Sequence, residues 1–495
     1  MKLTVTGDIN SFYVQTLCMI FFPGEKFVEN QEITEYTPIM EVSVTNSENV
    51  SSAKATLTYK GKTAQADKTV EFAPERTKQR TAKIAAGSAV LAVCTELLGY
   101  RPSWGMLTGV RPSKVAMEML LNGNSKAKVR KILNNDYYVI PKKAALATDI
   151  ARREQKIIDK PDIKDCSIYI SIPFCPSRCS YCSFVSYTTP KLLSLIPDYL
   201  DKLCAELEEL LKTIKELELN LKTIYIGGGT PTILTAEQLK RLLSLINDYV
   251  DVSTLEEFTL EGGRPDTITE EKLSVAKDYG ITRISVNPQS LNEQVIKSIG
   301  RSHSIEDFYR AYDIATKSGI KVINVDLIAG LPGDNFKYFS ATFDKIIALE
   351  PQNITVHTFC VKKAADILVQ NQNVYSIKGG DVGKCVDYSQ LRAQAAGYLP
   401  YYMYRQKNTV GNYENVGFAQ EGTEGLYNVY MMEEVHSILA VGAGAVTKLV
   451  EYYPANIAST KISRYFNPKY PYEYLDNYSN LETINAIKEF YSSHL

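Results

Sequence analysis

Between residues 166 and 359, six short apolar runs alternate with stretches of helical pattern. The runs are CSIYISI (166–172), KTIYIGG (222–228), EEFTLEG (256–262), TRISVNP (282–288), KVINVDL (321–327) and NITVHTF (353–359). Runs this apolar suit strands covered on both faces, and a repeated strand–helix–strand order forces parallel pairing through right-handed crossovers. The first intervening helix carries Leu200, Leu203, Leu207, Leu210, Ile214 and Leu217 at three- and four-residue steps, which makes one apolar face. The class is α/β, and an open doubly wound sheet or a partial β/α barrel satisfies the pattern equally. In either, ligands sit beyond the C-terminal ends of the strands.

Those strand ends are polar. After the first, SIPFCPSRCSYCSF sets Cys175, Cys179 and Cys182 at CxxxCxxC spacing. The second runs into Gly227-Gly228-Gly229-Thr230-Pro231-Thr232, the third ends on Glu261, the fourth on Asn287-Pro288-Gln289 and the fifth on Asp326. A structural zinc site wants four closed ligands, and a redox CxxC would leave Cys175 idle. An iron–sulfur cube held by three cysteines uses all three and leaves one iron free. The triple glycine lets backbone N–H groups approach a ligand, but no Lys-Ser/Thr follows, so it is not a P-loop.

The rest of the chain has a different texture. Residues 1 to about 75 alternate apolar and polar positions, with MEVSVTNS and AKATLTYKGKTAQADKTVEF as antiparallel strands turned at Lys60-Gly61-Lys62. FYVQTLCMIFFPGEKF reads as a buried strand. From 76 to 160 the pattern is helical, and Pro112 opens one helix at a favoured early position. The division expected is an N-terminal α+β cap or interaction domain over 1–160, the α/β layer with the cysteine loop over 161–365, and a substrate-covering region over 366–495. Thirty-three tyrosines either wall a pocket for a flat aromatic ligand or are simply half-buried. With 55 basic against 56 acidic residues, bulk charge gives no reason to expect nucleic acid. No long apolar run suggests a membrane span, and the other six cysteines stand singly, as free thiols do in a reducing cytoplasm. A cytoplasmic monomer is expected.

CxxxCxxC after a first strand, with a triple-glycine loop after the second, resembles the radical S-adenosylmethionine enzymes. IYISIPFC, GGGTPT, the glutamate after strand three, NPQS, IGRSHS and DLIAGLPG are similar, in order, to the oxygen-independent coproporphyrinogen III oxidases. RPSWGMLTGVRP, NTVGNYENVGFA and VGAGAV look like the longer anaerobic variant, coproporphyrinogen dehydrogenase. The resemblance implies a partial (β/α)6 TIM-like barrel with an N-terminal α+β domain and a mostly helical C-terminal extension. It implies a [4Fe-4S] cluster on Cys175, Cys179 and Cys182, with S-adenosyl-L-methionine chelating the free iron. Tyr169 and Tyr181 would lie beside both, and Gly228, Gly229 and Thr230 would meet the methionyl end. Glu261, Gln289, Arg301 and Asp326 would hold the methionyl and ribose groups.

The reaction implied begins with an electron from a donor such as flavodoxin or ferredoxin. A 5′-deoxyadenosyl radical then takes a propionate β-hydrogen from a tetrapyrrole, and loss of CO2 and an electron leaves a vinyl group, twice. Propionates need cationic or hydroxyl partners, for which Arg178, Arg405 and Lys407 are candidates. The chain departs from the best-known relatives at Ser183-Phe184, where they keep another cysteine, at Ser171 for a histidine and at Cys360 for an alanine. Relatives without the extra thiol include haem chaperones and haem-degrading enzymes. A haem-binding chaperone, with His357 or His436 as axial ligand, or a haem-modifying radical enzyme is therefore the alternative; otherwise each histidine packs in a wall.

Overall fold

The computed structural model describes the chain except residues 28–32, 74–75, 183, 361–379, 407–408, 454–459 and 495. The described residues fall into two compact units. One comprises Met1–Ala151 with Tyr404–Glu414 and a short stretch ending at Gly383; the other contains most of the chain from Arg152 onward.

The first unit is built on a sheet in the order β1 (Lys2–Gly7), β2 (Ile39–Asn46), β3 (Val50–Tyr59) and β4 (Lys62–Glu71). β1 and β2 are parallel, and the other pairs are antiparallel. Lys60 and Gly61 both adopt positive φ, 51° and 70°, as a tight two-residue hairpin turn requires. The segment expected as a buried strand is instead helix Ser11–Phe21. Asn10 caps it by accepting from the Phe12 N–H, and Val14, Leu17, Cys18 and Phe21 form its buried stripe. An apolar run without clear alternation fits helix and strand alike, and here the cap and the stripe decide. Helix Lys78–Leu98 starts at the Thr77 cap and stops at Gly99, φ +60°. It is long and apolar enough to cross a bilayer, at a mean hydropathy of 1.4, but 67% of that window is buried, and Ala85, Ala89 and Val90 join the sheet's core.

Two motif stretches far apart in sequence meet in this unit. Trp104 Nε1 donates to Glu414 Oε2 at 2.8 Å, and the Lys143 ammonium pairs with Glu414 Oε1 at 2.5 Å, all three side chains buried. Arg405 donates to Leu107 O at 2.6 Å and to Asn412 Oδ1 at 2.5 Å, with its guanidinium over the Trp104 ring. Burial pushes Arg405 down to about 10.

In the second unit all six expected strands are present: β5 (Asp165–Ile172), β6 (Asn220–Gly228), β7 (Glu257–Leu260), β8 (Arg283–Ser285), β9 (Val322–Ala329) and β10 (Asn353–Thr358). They are parallel and adjacent in chain order. A doubly wound sheet reverses its order at a switch point; these six strands do not, which is the order of a partial β/α barrel. Ile168, Ile170, Ile224 and Ile226 are fully buried. Helix Ile196–Glu216 buries Leu200, Leu203, Leu207, Leu210 and Ile214, as its spacing foretold. The alternate positions of the strands are polar. Ser167 pairs with Thr223, and the Arg283 guanidinium pairs with Glu257 at 3.1 Å.

The C-terminal part contributes helices Val382–Ala395, Leu426–Glu433 and Leu481–His494. It also supplies five strands that the sequence reading did not assign: β11 (Leu399–Arg405), β12 (Glu414–Ala419), β13 (Ser437–Val441), β14 (Val446–Glu451) and β15 (Lys461–Phe466). β12 adds antiparallel to β10, and β13 adds parallel to β5, so the sheet reaches eleven strands. Two buried acids fasten this part. Glu257 accepts from the Leu426 N–H at 2.7 Å, a negative charge at the start of helix Leu426–Glu433, while Arg283 donates to Thr423 O and Glu424 O. Glu206 accepts from Gly442 N, Asn467 Nδ2, Tyr474 OH and Tyr478 OH.

Candidate active site

The cysteine loop leaves β5 and is closed at its base by Cys175 N–H to Tyr187 O at 3.1 Å and Tyr187 N–H to Pro173 O at 2.7 Å. Its tip is tied to the segment after helix Glu293–Ser298. Ser180 N–H donates to Ile299 O at 3.0 Å, and Ser177 Oγ donates to Gly300 O at 3.0 Å. The triple-glycine loop lies against the base, with Gly229 N–H on Ile172 O and Thr230 N–H on Phe174 O, each at 2.8 Å. Thr230 Oγ1 donates to Cys175 Sγ at 3.3 Å. A Cβ on Gly229 would stand 2.6 Å from Phe174 O and 3.0 Å from Cys175 Sγ, so only glycine permits this approach. Burial pushes the Cys175 thiol up to about 11 and raises Cys182, so a metal must displace their protons. Among the described residues no three His, Cys, Asp or Glu side chains converge as ligands of one metal ion.

Two carboxylates stand near this edge, Glu261 directly after β7 and Asp326 within β9, which continues to Ala329 rather than ending on Asp326 as expected. Burial, reinforced by the charge of Asp326, pushes Glu261 up to about 8, although the Gly228 N–H and the Tyr225 hydroxyl donate to it. A Cβ on Gly227 would come within 2.7 Å of Glu261 Oε2. Burial also acts against Asp326, but hydrogen bonds from His357, Asn324 and Thr355 hold it below the usual carboxylate range. Asn287 grips Asp326 twice: its Nδ2 donates to Oδ2 at 3.0 Å and its Oδ1 accepts from the Asp326 N–H at 3.1 Å.

Gln289 adopts φ +66°, a left-handed conformation uncommon for a non-glycine, and its buried Oε1 has no partner. Arg301 donates to Asn287 O at 2.6 Å and reaches Tyr181 and Cys179, while its buried Nε is unpartnered. Around this rim Thr230 meets Cys175, and Cys179 connects through Arg301 and Asn287 to Asp326, whose O accepts from the Gln289 N–H at 3.1 Å, while Glu261 is within reach of the Asp326 charge. Tyr169 belongs to this rim through Glu261, whose charge adds to burial in raising its hydroxyl. Its ring stacks with those of Tyr225 and Tyr427, at 6.1 and 6.3 Å.

Arg264 was not foreseen. It is 3% exposed and donates to Ser177 Oγ at 3.2 Å, Ser302 Oγ at 2.9 Å and Cys179 Sγ at 3.8 Å, with Asp266 Oδ1 3.2 Å from its Nε. The available signal was position: an arginine three residues past Glu261, in the same strand-end loop. Of the other sequence candidates, Arg178 is exposed on the cysteine loop, Arg405 is engaged within the first unit as described, and Lys407 lies outside the described residues. His436 packs in a wall, with Ser167 Oγ at 2.8 Å and Tyr430 against its ring, and burial lowers it to about 3. His357 Nε2 stands 3.6 Å from Asp326 Oδ2.

Residues 169–346 match the Radical SAM superfamily. The chain is 38% identical over 386 residues to the oxygen-independent coproporphyrinogen-III oxidase-like protein HemZ of Bacillus subtilis, covering 77% of this chain and 76% of that one. It is 31% identical over 284 residues to the heme chaperone HemW of the same organism, covering 56% and 70%. Among solved structures, coproporphyrinogen III oxidase HemN from Escherichia coli superposes with a TM-score of 0.48 at 20% identity, over 63% of this chain and 73% of that one.

Proposed function

This chain belongs to the radical S-adenosylmethionine superfamily and to its oxygen-independent coproporphyrinogen III oxidase-like members, and on that footing we propose that it decarboxylates the propionates of coproporphyrinogen III to vinyl groups without oxygen. The observation that carries the reading is the run of contacts from Cys179 through Arg301 and Asn287 to Asp326 and Gln289, with Thr230 on Cys175 in the same group of strand-end loops.

The residues present fit the cofactors. Three thiols in one loop suit a [4Fe-4S] cluster, in which each cysteine meets a separate iron. The orphaned Arg301 Nε and Gln289 Oε1 suit a polar ligand still to arrive. Cys175, Cys179 and Cys182 would hold the cluster; Gly228, Gly229, Thr230, Glu261, Gln289, Arg301 and Asp326 would hold S-adenosyl-L-methionine. Bound together, these cofactors supply hydrogen abstraction from an unactivated carbon. Glu261, once ionised, would accept a hydrogen bond from the methionyl end of the bound S-adenosyl-L-methionine. Tyr169, Tyr225 and Tyr427 give this edge of the rim an aromatic wall that keeps water from the reacting carbon.

The haem-chaperone reading draws on Ser183, where an extra thiol is missing, and on the resemblance to HemW. Against it, His436 is already bonded in the wall and His357 is held by Asp326. The deciding experiment incubates anaerobically reconstituted protein with coproporphyrinogen III, S-adenosylmethionine and a chemical reductant. Vinyl product, CO2 and matching 5′-deoxyadenosine are expected. Stable haem binding with no substrate-dependent 5′-deoxyadenosine would overturn the proposal in favour of the chaperone.

A further inference from the structure

We propose that Arg264 is a positioning residue that raises the reduction potential of the iron–sulfur cluster through the sulfur of Cys179. The inference rests on the cluster assignment above and goes beyond it. The three cysteines do not share one environment. Cys175 receives a neutral hydroxyl from Thr230, whereas Cys179 faces two guanidinium groups, Arg264 at 3.8 Å and Arg301. Reduction adds one negative charge to a cluster and its thiolates. A cationic donor on a ligand sulfur stabilises that added charge, so the reduced form gains relative to the oxidised one. Burial strengthens the effect, since a guanidinium that is 3% exposed is poorly screened.

The guanidinium is aimed, not merely nearby. Ser177 Oγ takes both Nη atoms at 3.2 Å, Ser302 Oγ takes Nη2 at 2.9 Å, and Nε faces Asp266. Asp266 Oδ2, in turn, accepts from Ser302 Oγ at 3.0 Å. The carboxylate therefore offsets part of the positive charge from the side away from the sulfur. This gives the device two handles that act in opposite directions: loss of the Arg264 charge lowers the potential, and loss of the Asp266 charge raises it. Arg301 also donates to Asn287, whereas Arg264 donates to the loop at both Ser177 and Cys179.

The test is a potentiometric titration of the full-length, reconstituted protein without substrate, following the electron paramagnetic resonance signal of the reduced cluster. Arg264→Gln is expected to cut the ratio of reduced to oxidised cluster about tenfold at a fixed potential, a downward shift of about 59 mV for one electron. Arg264→Lys keeps the charge and is expected to recover most of that shift. Asp266→Asn is expected to move the potential upward. Wild-type potentials in both Arg264→Gln and Asp266→Asn would overturn the proposal. If Arg264→Gln takes up no iron, Asp266→Asn decides alone, and an unchanged or lowered potential there overturns it. Wild-type protein that binds no iron would instead defeat the cluster assignment.

Discussion

Gly229→Ala tests whether the approach of the glycine loop to the cysteine loop is what shapes the site. The added Cβ would lie 2.6 Å from Phe174 O, 3.0 Å from Ile172 O and 3.0 Å from Cys175 Sγ, and real Cβ contacts essentially never fall below 3.0 Å. Phe174 O is backbone and cannot rotate away, so the two loops must part by about 0.4 Å at the least. That movement strains the hydrogen bonds Gly229 N–H to Ile172 O and Thr230 N–H to Phe174 O. Overpacking of this kind costs about 1–3 kcal/mol. Unit stability should survive, but Cys175 and its Thr230 partner are displaced together, so cluster assembly should suffer more than folding. The assay is iron and sulfide content after anaerobic reconstitution, beside thermal melting of the apo-protein. Gly109→Ala is the control, because a Cβ there meets nothing within 4 Å. Expected are a melting point a few degrees lower and a clear loss of iron in Gly229→Ala, with neither in Gly109→Ala. Full iron loading and unchanged melting in Gly229→Ala would refute the reasoning.

Three further predictions follow from the buried charges. Arg283→Met leaves Glu257 buried without its cation, which costs about 3–5 kcal/mol; it should lower thermal stability sharply and expose residues 420–427 to limited proteolysis, and a wild-type digestion pattern would count against it. His436 is lowered to about 3 against an ordinary 6.5. Above about pH 6.5 the folded and unfolded chains are equally unprotonated and stability is full; as pH falls toward about 3 only the unfolded chain takes up the proton, removing up to about 1.4 kcal/mol per pH unit. Denaturant melts from pH 7 to 4 should therefore show a steeper acid limb in wild type than in His436→Gln. Glu261, pushed up to about 8, must be ionised to accept from a donor group of S-adenosylmethionine. S-adenosylmethionine affinity, measured by equilibrium dialysis on reconstituted protein, should rise with pH up to about 8, by at most tenfold per unit, and Glu261→Gln should bind weakly with a flat profile.

Local pattern carried much of the fold. The six parallel strands stand where their apolar runs predicted, because a buried strand must be apolar along its own length. Cys175, Cys179 and Cys182 stood out because they are close in sequence, and Glu261 and Gln289 because each follows a strand, whereas Asp326 lies inside β9. FYVQTLCMIFFPGEKF failed as a strand because apolar content does not state a period, and the Asn10 cap was the overlooked clue. β12 and β13 were missed because each owes its place to an edge of the sheet supplied by residues far away, and β11, β14 and β15 build outward from those two. Glu206 shows the limit most directly. On its helix it looks like one more surface charge, yet four donors from positions 442 to 478 converge on it.

By itself, then, the sequence determined the parallel α/β layer and the three thiols that share one loop. These are consequences of periodicity and of short spacing, which act within a few residues. The tertiary structure decided that the strands follow one another without reversal, and that Glu257 and Arg283 clasp the start of helix Leu426–Glu433. It also decided that Arg264 points at Cys179 across 85 residues of chain. Such contacts depend on where loops from separate strands come to rest, and no local pattern encodes that.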